Sequence, residues 1–219
     1  MATVTNTYNP TFAASLKGYV ERSVASEAFS TIRGGVGTGS GTPSGSTFLM
    51  ASAVLNQYAY LQRSIILFDT SAIPVGATIT AATITMSGVV TSSNGLGSPA
   101  VVLVSSNPAS NSVLANSDYS NVGSTSFGSV AYSSVGNNFS IALNGSGLSN
   151  ITKNGVSKFG LRSDWDQTGT FSGAWSAVAG SGSFGWTAVS LSVTYTLDFP
   201  TLSVNNISSL ANVTTITTS

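Results

Sequence analysis

The chain has 219 residues, of which only 6% are charged, against roughly 25% in an ordinary soluble domain; Ser, Thr, Gly and Asn fill the polar positions. Seven basic and seven acidic residues cancel, which leaves no electrostatic footprint for a phosphate backbone or an anionic membrane, so neither nucleic acid nor a membrane is expected as a partner. Cysteine and histidine are both absent, which excludes disulfides, thiolate metal sites and Ser-His-Asp or Cys-His catalysis, and leaves only hard-metal sites built from oxygens. The first residues, Met1 to Thr7, lack the basic and apolar regions of a secretory signal, and no run of about 18 apolar residues occurs, so a soluble product of cytoplasmic synthesis is expected. Asn-x-Ser/Thr sequons at Asn138, Asn144, Asn150, Asn206 and Asn212 carry little weight in so hydroxyl-rich a chain.

The length suits one β-sandwich with arms. Residues 1–47 read as an N-terminal arm, one or two early strands around Leu16, Tyr19 and Val20, and a loop from Gly34 to Ser46 whose glycines lack the following Gly-Lys-Ser/Thr of a phosphate-cradling loop. The sandwich is expected over residues 48–198. Phe48 to Phe68 ends in the run Ile65-Ile66-Leu67-Phe68, the mark of a strand buried on both faces. Asp69 to Gly76 is a turn, Ile79 to Val90 returns to β character, and Thr91 to Pro99 reads as a loop carrying Asn94-Gly95. Val101 to Val104 is a short strand, Ser112–Asn116 a helical turn, and Tyr132–Val135 and Phe139–Leu143 two further strands. Leu148 and Ile151, three apart, suit one helical turn over the end of the sandwich, and Lys158–Arg162 is again a strand. The clearest alternation comes last, with Val189, Leu191, Val193, Tyr195 and Leu197 separated by Ser190, Ser192, Thr194 and Thr196. Residues 199–219, rich in Thr, Ser and Asn, read as a C-terminal arm that docks on something, such as a neighbouring copy. Eight or more short β runs punctuated by Gly, Pro and Asn, with no helix-period segment of useful length, define an all-β, jelly-roll-like antiparallel sandwich with polar arms.

No catalytic, cofactor-binding or metal-ligating residue is assigned. The densest acidic feature is Asp164-Trp165-Asp166, where a strand would set both carboxylates on one face. A structural turn or salt bridge is the first reading; a Ca²⁺ site, a sugar contact or a carboxylate pair of glycosidase type are the others, with Arg162 the one evident neighbour able to tune them. Asp69 and Arg63 read as a strand-end pair. Trp165, Trp175 and Trp186, with Phe171 and Phe184, lie in a Gly- and Ser-rich stretch; core or interface packing is the plain reading, and stacking on a glycan the functional one. Asp164, Trp165, Asp166, Trp175 and Trp186 are thus the candidates for ligand or interface contact beside that plain reading.

Three blocks carry a family resemblance. Arg63 to Ile79 (RSIILFDTSAIPVGATI) followed by Ala81-Ala82-Thr83-Ile84, then Leu143-Asn144 through Ile151 with Gly155 to Arg162, and finally Val193 to Thr196, resemble the DNRLRE-type, disaggregatase-related β-sandwich domains over roughly residues 48–196. The resemblance implies a jelly-roll-like sandwich used either as a carbohydrate-binding or scaffolding module of secreted bacterial proteins or as a stand-alone structural protein of phages. The missing signal and catalytic domain point to the second context. The expectation is a non-enzymatic virion structural protein, a capsid decoration (cement) or head/tail accessory protein of a tailed bacteriophage. It is expected to form a homo-oligomer, with a trimer suggested by threefold lattice positions, and to contact the major capsid or other virion proteins. A carbohydrate-binding adhesive module facing surface glycans is the alternative.

Overall fold

A computed structural model describes residues 1–10, 17–42, 45–131, 138–176 and 180–198. Thirteen strands make up two sheets within these residues. The smaller runs in the order β1 (Ala2–Tyr8), β13 (Ala188–Leu197), β6 (Thr78–Ser87), β10 (Asn138–Ala142). The larger runs β7 (Val90–Asn94), β12 (Ser181–Trp186), β4 (Gly45–Ala51), β5 (Gln57–Asp69), β11 (Val156–Ser163), β8 (Ala100–Ser105), β9 (Gly128–Ala131), with β2 (Lys17–Ala28) also paired to β5 and β3 (Gly39–Gly41) to β2. Every pairing between these strands is antiparallel. Three short helices, α1 (Phe29–Gly34), α2 (Gly145–Ser149) and α3 (Asp164–Thr168), and a 3-10 turn, Asn116–Asn121, complete the described fold. Successive long strands alternate between the sheets, β5 to β6, β8 to β10, β11 to β13, which is the jelly-roll-like crossing expected from the sequence.

The centre is β5. Residues 58–62 pair with both β2 and β4, and residues 64–66 with both β2 and β11, so β2 runs along one side while β4 and β11 share the other and meet beside Arg63. Residues 61–68 are buried on both faces, because two cores lie back to back. Ile66 and Phe68 face the core between the sheets, with Ile84, Met86, Phe159, Leu191, Val193 and Tyr195. Leu61, Ile65 and Leu67 face a second core closed by Val20, Ile32, Tyr119 and Trp165.

Several sequence expectations change. Residues 2–8, taken as part of an arm, form an edge strand in register with β13, Ala2 opposite Leu197 and Tyr8 opposite Leu191, because Val4 and Tyr8 supply an inward face for the first core. The loop from Gly34 to Ser46 contains β3 and the start of β4; Gly41 pairs with Tyr19, whose ring end lies over it, so that a Cβ there would lie 2.7 Å from the ring. The loop Thr91–Pro99 begins inside β7, whose five residues are all exposed and so show no alternation. The helical turn sits at Asn116–Asn121 rather than 112–116, where the buried Asp118 accepts from the Ala109 and Ala115 amides (2.9 Å each) and from Asn121 Nδ2 (3.2 Å). The strand expected at Tyr132–Val135 and the arm at 199–219 lie outside the described residues.

The turn after β5 owes its shape to Thr70. Its buried Oγ1 lies 2.7 Å from Thr152 O, 3.0 Å from Gly155 O and 2.7 Å from Ser157 Oγ, tying the turn to the start of β11. The Ser71 hydroxyl, and then the Ser71 amide from which Asp69 Oδ1 accepts at 3.0 Å, hold the Asp69 carboxyl below the usual range.

The outer face of the smaller sheet is polar without charge. Thr5 lies opposite Thr194, Thr7 opposite Ser192, Ser192 opposite Thr83, and Thr85 between Ser190 and Ser140. Hydroxyl pairs close at 2.9 Å for Thr5 with Thr194 and 2.8 Å for Thr85 with Ser140. Not one residue of β1, β6, β10 or β13 is ionised at neutral pH.

Candidate functional site

The charges that the smaller sheet lacks gather behind the larger one. Arg63 on β5 and Arg162 on β11 sit side by side, since Leu161 pairs with Ser64. The chain leaves β11 into α3, whose N-cap Ser163 accepts from the Asp166 amide at 3.2 Å, and this turn carries the Asp166 carboxylate over both arginines. Asp166 receives Arg63 in a two-pronged bond, Nε to Oδ2 and Nη2 to Oδ1, each 2.8 Å. Two more Arg63 donors go to the Tyr119 and Arg33 carbonyls at 2.6 and 2.7 Å, and its guanidinium lies 3.9 Å above the Tyr119 ring. Tyr119 in turn donates to Ile32 O at 2.7 Å.

Two further guanidinium groups have no carboxylate at hydrogen-bonding distance. Arg162 Nε is 3.5 Å from Asp166 Oδ2 and makes no hydrogen bond, although Nη2 donates to Val122 O. Arg33 Nε is 3.6 Å from Asp166 Oδ1 and donates instead to the Asp166 carbonyl at 2.5 Å. The Asp166 side chain is fully buried, Arg63 and Arg162 are 2% and 7% exposed, and Arg33 is 31% exposed. Burial, with Arg63 and Arg33 alongside, pushes the Arg162 guanidinium down to about 10 despite Asp166. Burial also pulls on Arg63, but the charge and hydrogen bonds of Asp166 outweigh it and hold Arg63 above its ordinary value. A cavity of about 290 Å³ opens on this cluster, lined by Arg33, Gly34, Arg63, Arg162 and the segment around Ser120 and Val122 to Ser124.

The residues singled out from the sequence do not form one site. Asp164-Trp165-Asp166 is the first turn of a helix and not a strand, so the two carboxylates are not a facing pair. Asp164 Oδ1 accepts from the Ala100 amide at 3.0 Å and the Trp165 amide at 2.9 Å, while Asp166 is taken by Arg63. Asp69 therefore does not pair with Arg63. Trp165 is buried in the second core, edge-on to Phe171 at 4.8 Å, with Nε1 donating to Ser172 Oγ. Trp186 is buried in the first core with Phe184. Trp175, partly buried, donates from Nε1 to Gln57 O at 3.1 Å. Among the described residues no three of His, Cys, Asp and Glu gather as metal ligands, and no helix is long and apolar enough to cross a membrane.

A second opening, of about 310 Å³, is lined by Ser46, Phe48, Tyr60, Gln62, Val90, Ser183 and Gly185. Phe48 and Tyr60 meet edge to face at 5.2 Å, and Glu21 accepts from Tyr60 O–H and, at 3.1 Å, from Gln62 Nε2.

Sequence reasoning missed Arg33 and the pairing of Arg63 with Asp166. A signal was present: Arg63 precedes Ser-Ile-Ile-Leu-Phe and Arg162 follows Phe-Gly-Leu, and an arginine inside a doubly buried β run requires a buried counter-charge. No family model, no curated protein and no solved structure matches the chain.

Proposed function

We propose that the chain is a non-enzymatic structural subunit of a virus particle, a capsid decoration or head/tail accessory protein of a tailed bacteriophage that acts as a homo-oligomer. The observation that carries this reading is the uncharged hydroxyl face of the smaller sheet. Such a face has no ions to desolvate, exchanges its water-bonded hydroxyls for partner groups at low cost, and neither steers nor repels at a distance, so many copies can pack on a surface. The resemblance of Arg63–Ile84 and Gly155–Arg162 to the DNRLRE-type domains in their phage context supports the same reading. Mass spectrometry of purified particles and light scattering of the isolated protein test it. The full chain is expected in the particle and as an oligomer, and Thr85→Lys with Ser192→Lys is expected to leave a folded monomer that no longer attaches. A monomeric full chain with no particle association overturns the proposal.

A second reading, a carbohydrate-binding module, is favoured by one feature: the opening beside Phe48 and Tyr60, where an aromatic pair adjoins the Gln62 amide and the Glu21 carboxylate, groups suited to sugar rings and hydroxyls. Glycan-array binding lost on Tyr60→Ala would select it; binding lost only on Trp175→Ala would return the contact to the aromatic loops.

A further inference from the structure

We infer that the cavity behind the larger sheet is a binding site for a small tetrahedral oxyanion, phosphate or the phosphate or sulfate group of a monoester. The charge inventory makes the first argument. Arg63 takes one hydrogen bond to each oxygen of Asp166, while Arg33 and Arg162 stand off from the same carboxylate at 3.6 and 3.5 Å and have no carboxylate of their own among the described residues. Three guanidiniums against one carboxylate leave a surplus of two positive charges at the cavity wall, which a dianion cancels. Burial makes the second. Arg162 is 7% exposed and shares Asp166 at 3.5 Å with an Nε lacking any hydrogen bond, an arrangement that is costly as a purely structural element because a buried cation with a shared, unbonded counter-ion forfeits its hydration. Arg63 alone balances the single charge of Asp166. The extra arginines are explained when a ligand completes them.

Chemistry and size then narrow the ligand. Guanidinium groups offer paired N–H donors that match the oxygens of phosphate and sulfate. Ser120 and Ser124 on the same wall add neutral polar groups, and none of the residues lining the cavity is acidic. A volume of about 290 Å³ exceeds a bare oxyanion and leaves room for a small substituent, such as one sugar ring.

Calorimetric titration of the full chain at constant ionic strength tests the inference, with inorganic phosphate, sulfate, glucose 6-phosphate and, as the neutral control, glucose. The expected result is binding of the anions at a Kd of about 1 mM or tighter and none of glucose. Arg33→Gln and Arg162→Gln should each weaken it by about tenfold or more. A monoester that binds tighter than inorganic phosphate identifies an organic ligand, and equal affinities identify the free anion. Arg162→Gln alters a buried group, so Arg33→Gln, at a partly exposed position, decides if the former fails to fold. Flat titrations for all anions, or unchanged affinity in folded Arg33→Gln, overturn the inference.

Discussion

Two aspartates two residues apart behave oppositely, and each supports a prediction. Asp166 is bound at both oxygens by a buried arginine, so Asp166→Asn leaves three guanidiniums facing one another without a counter-charge. Breaking a buried ion pair from one side costs about 3 to 5 kcal/mol, which urea unfolding of the variant would register. Asp164 is pushed up by burial, more than the Trp165 and Ala100 amides pull it down. Its protonated form is therefore favoured by folding. The stabilising contribution is complete below the unfolded pKa, about 4, and is lost as pH rises through the higher folded value. Asp164→Asn keeps an oxygen for both amides and removes the ionisation, so at pH 7 it should melt at or above the parent temperature. The two proteins should converge below pH 4, and a parent clearly more stable than the variant at pH 7 would contradict this account.

Among the elements, the turn between β5 and β6 shows how one hydroxyl fixes a register. Thr70→Val keeps the shape but removes the group that joins Thr152, Gly155 and Ser157, and the loss should be about 1 to 3 kcal/mol by chemical denaturation. Strand alternation was legible wherever one face meets a core and the other meets water, as in β10 and β13. It failed for β3 and β7, whose residues are small or wholly exposed and which form because a neighbour offers an edge. The site was partly legible. Asp166 and Arg162 were in view, but which of the seven basic residues would meet Asp166 depends on β5 and β11 lying side by side, a contact 103 residues long in sequence for Arg63. For the tryptophans, core packing was the plain reading of the sequence, and Trp165 and Trp186 are buried in the two cores, the latter beside Phe184 on a strand of otherwise small residues.

At the scale of the molecule, the second core makes β5 the shared wall of two hydrophobic layers, so neither layer can open without exposing the other. Amide exchange is expected to be slowest for Leu61 to Phe68 and to follow global unfolding there. The arm proposed over residues 199–219 supports a separate prediction. Deleting residues 200–219 is expected to leave the melting temperature within a few degrees while weakening self-association or particle binding, read by thermal scanning and light scattering on the same sample. A truncated chain that associates as well as the full one would end the arm proposal.

The pairing of β1 with β13 joins the beginning of the chain to residue 197. A ribosome delivers the strands in order at about 5 to 20 residues per second, so β1 must wait on the order of 10 to 40 s for its partner. Through that interval the smaller sheet has no β13 at its centre, and the first core lacks Val189, Leu191, Val193 and Tyr195. Completion of the sandwich thus waits on the release of β13 from the exit tunnel, and nascent chains stalled before residue 188 should remain open to protease across β1 and β6.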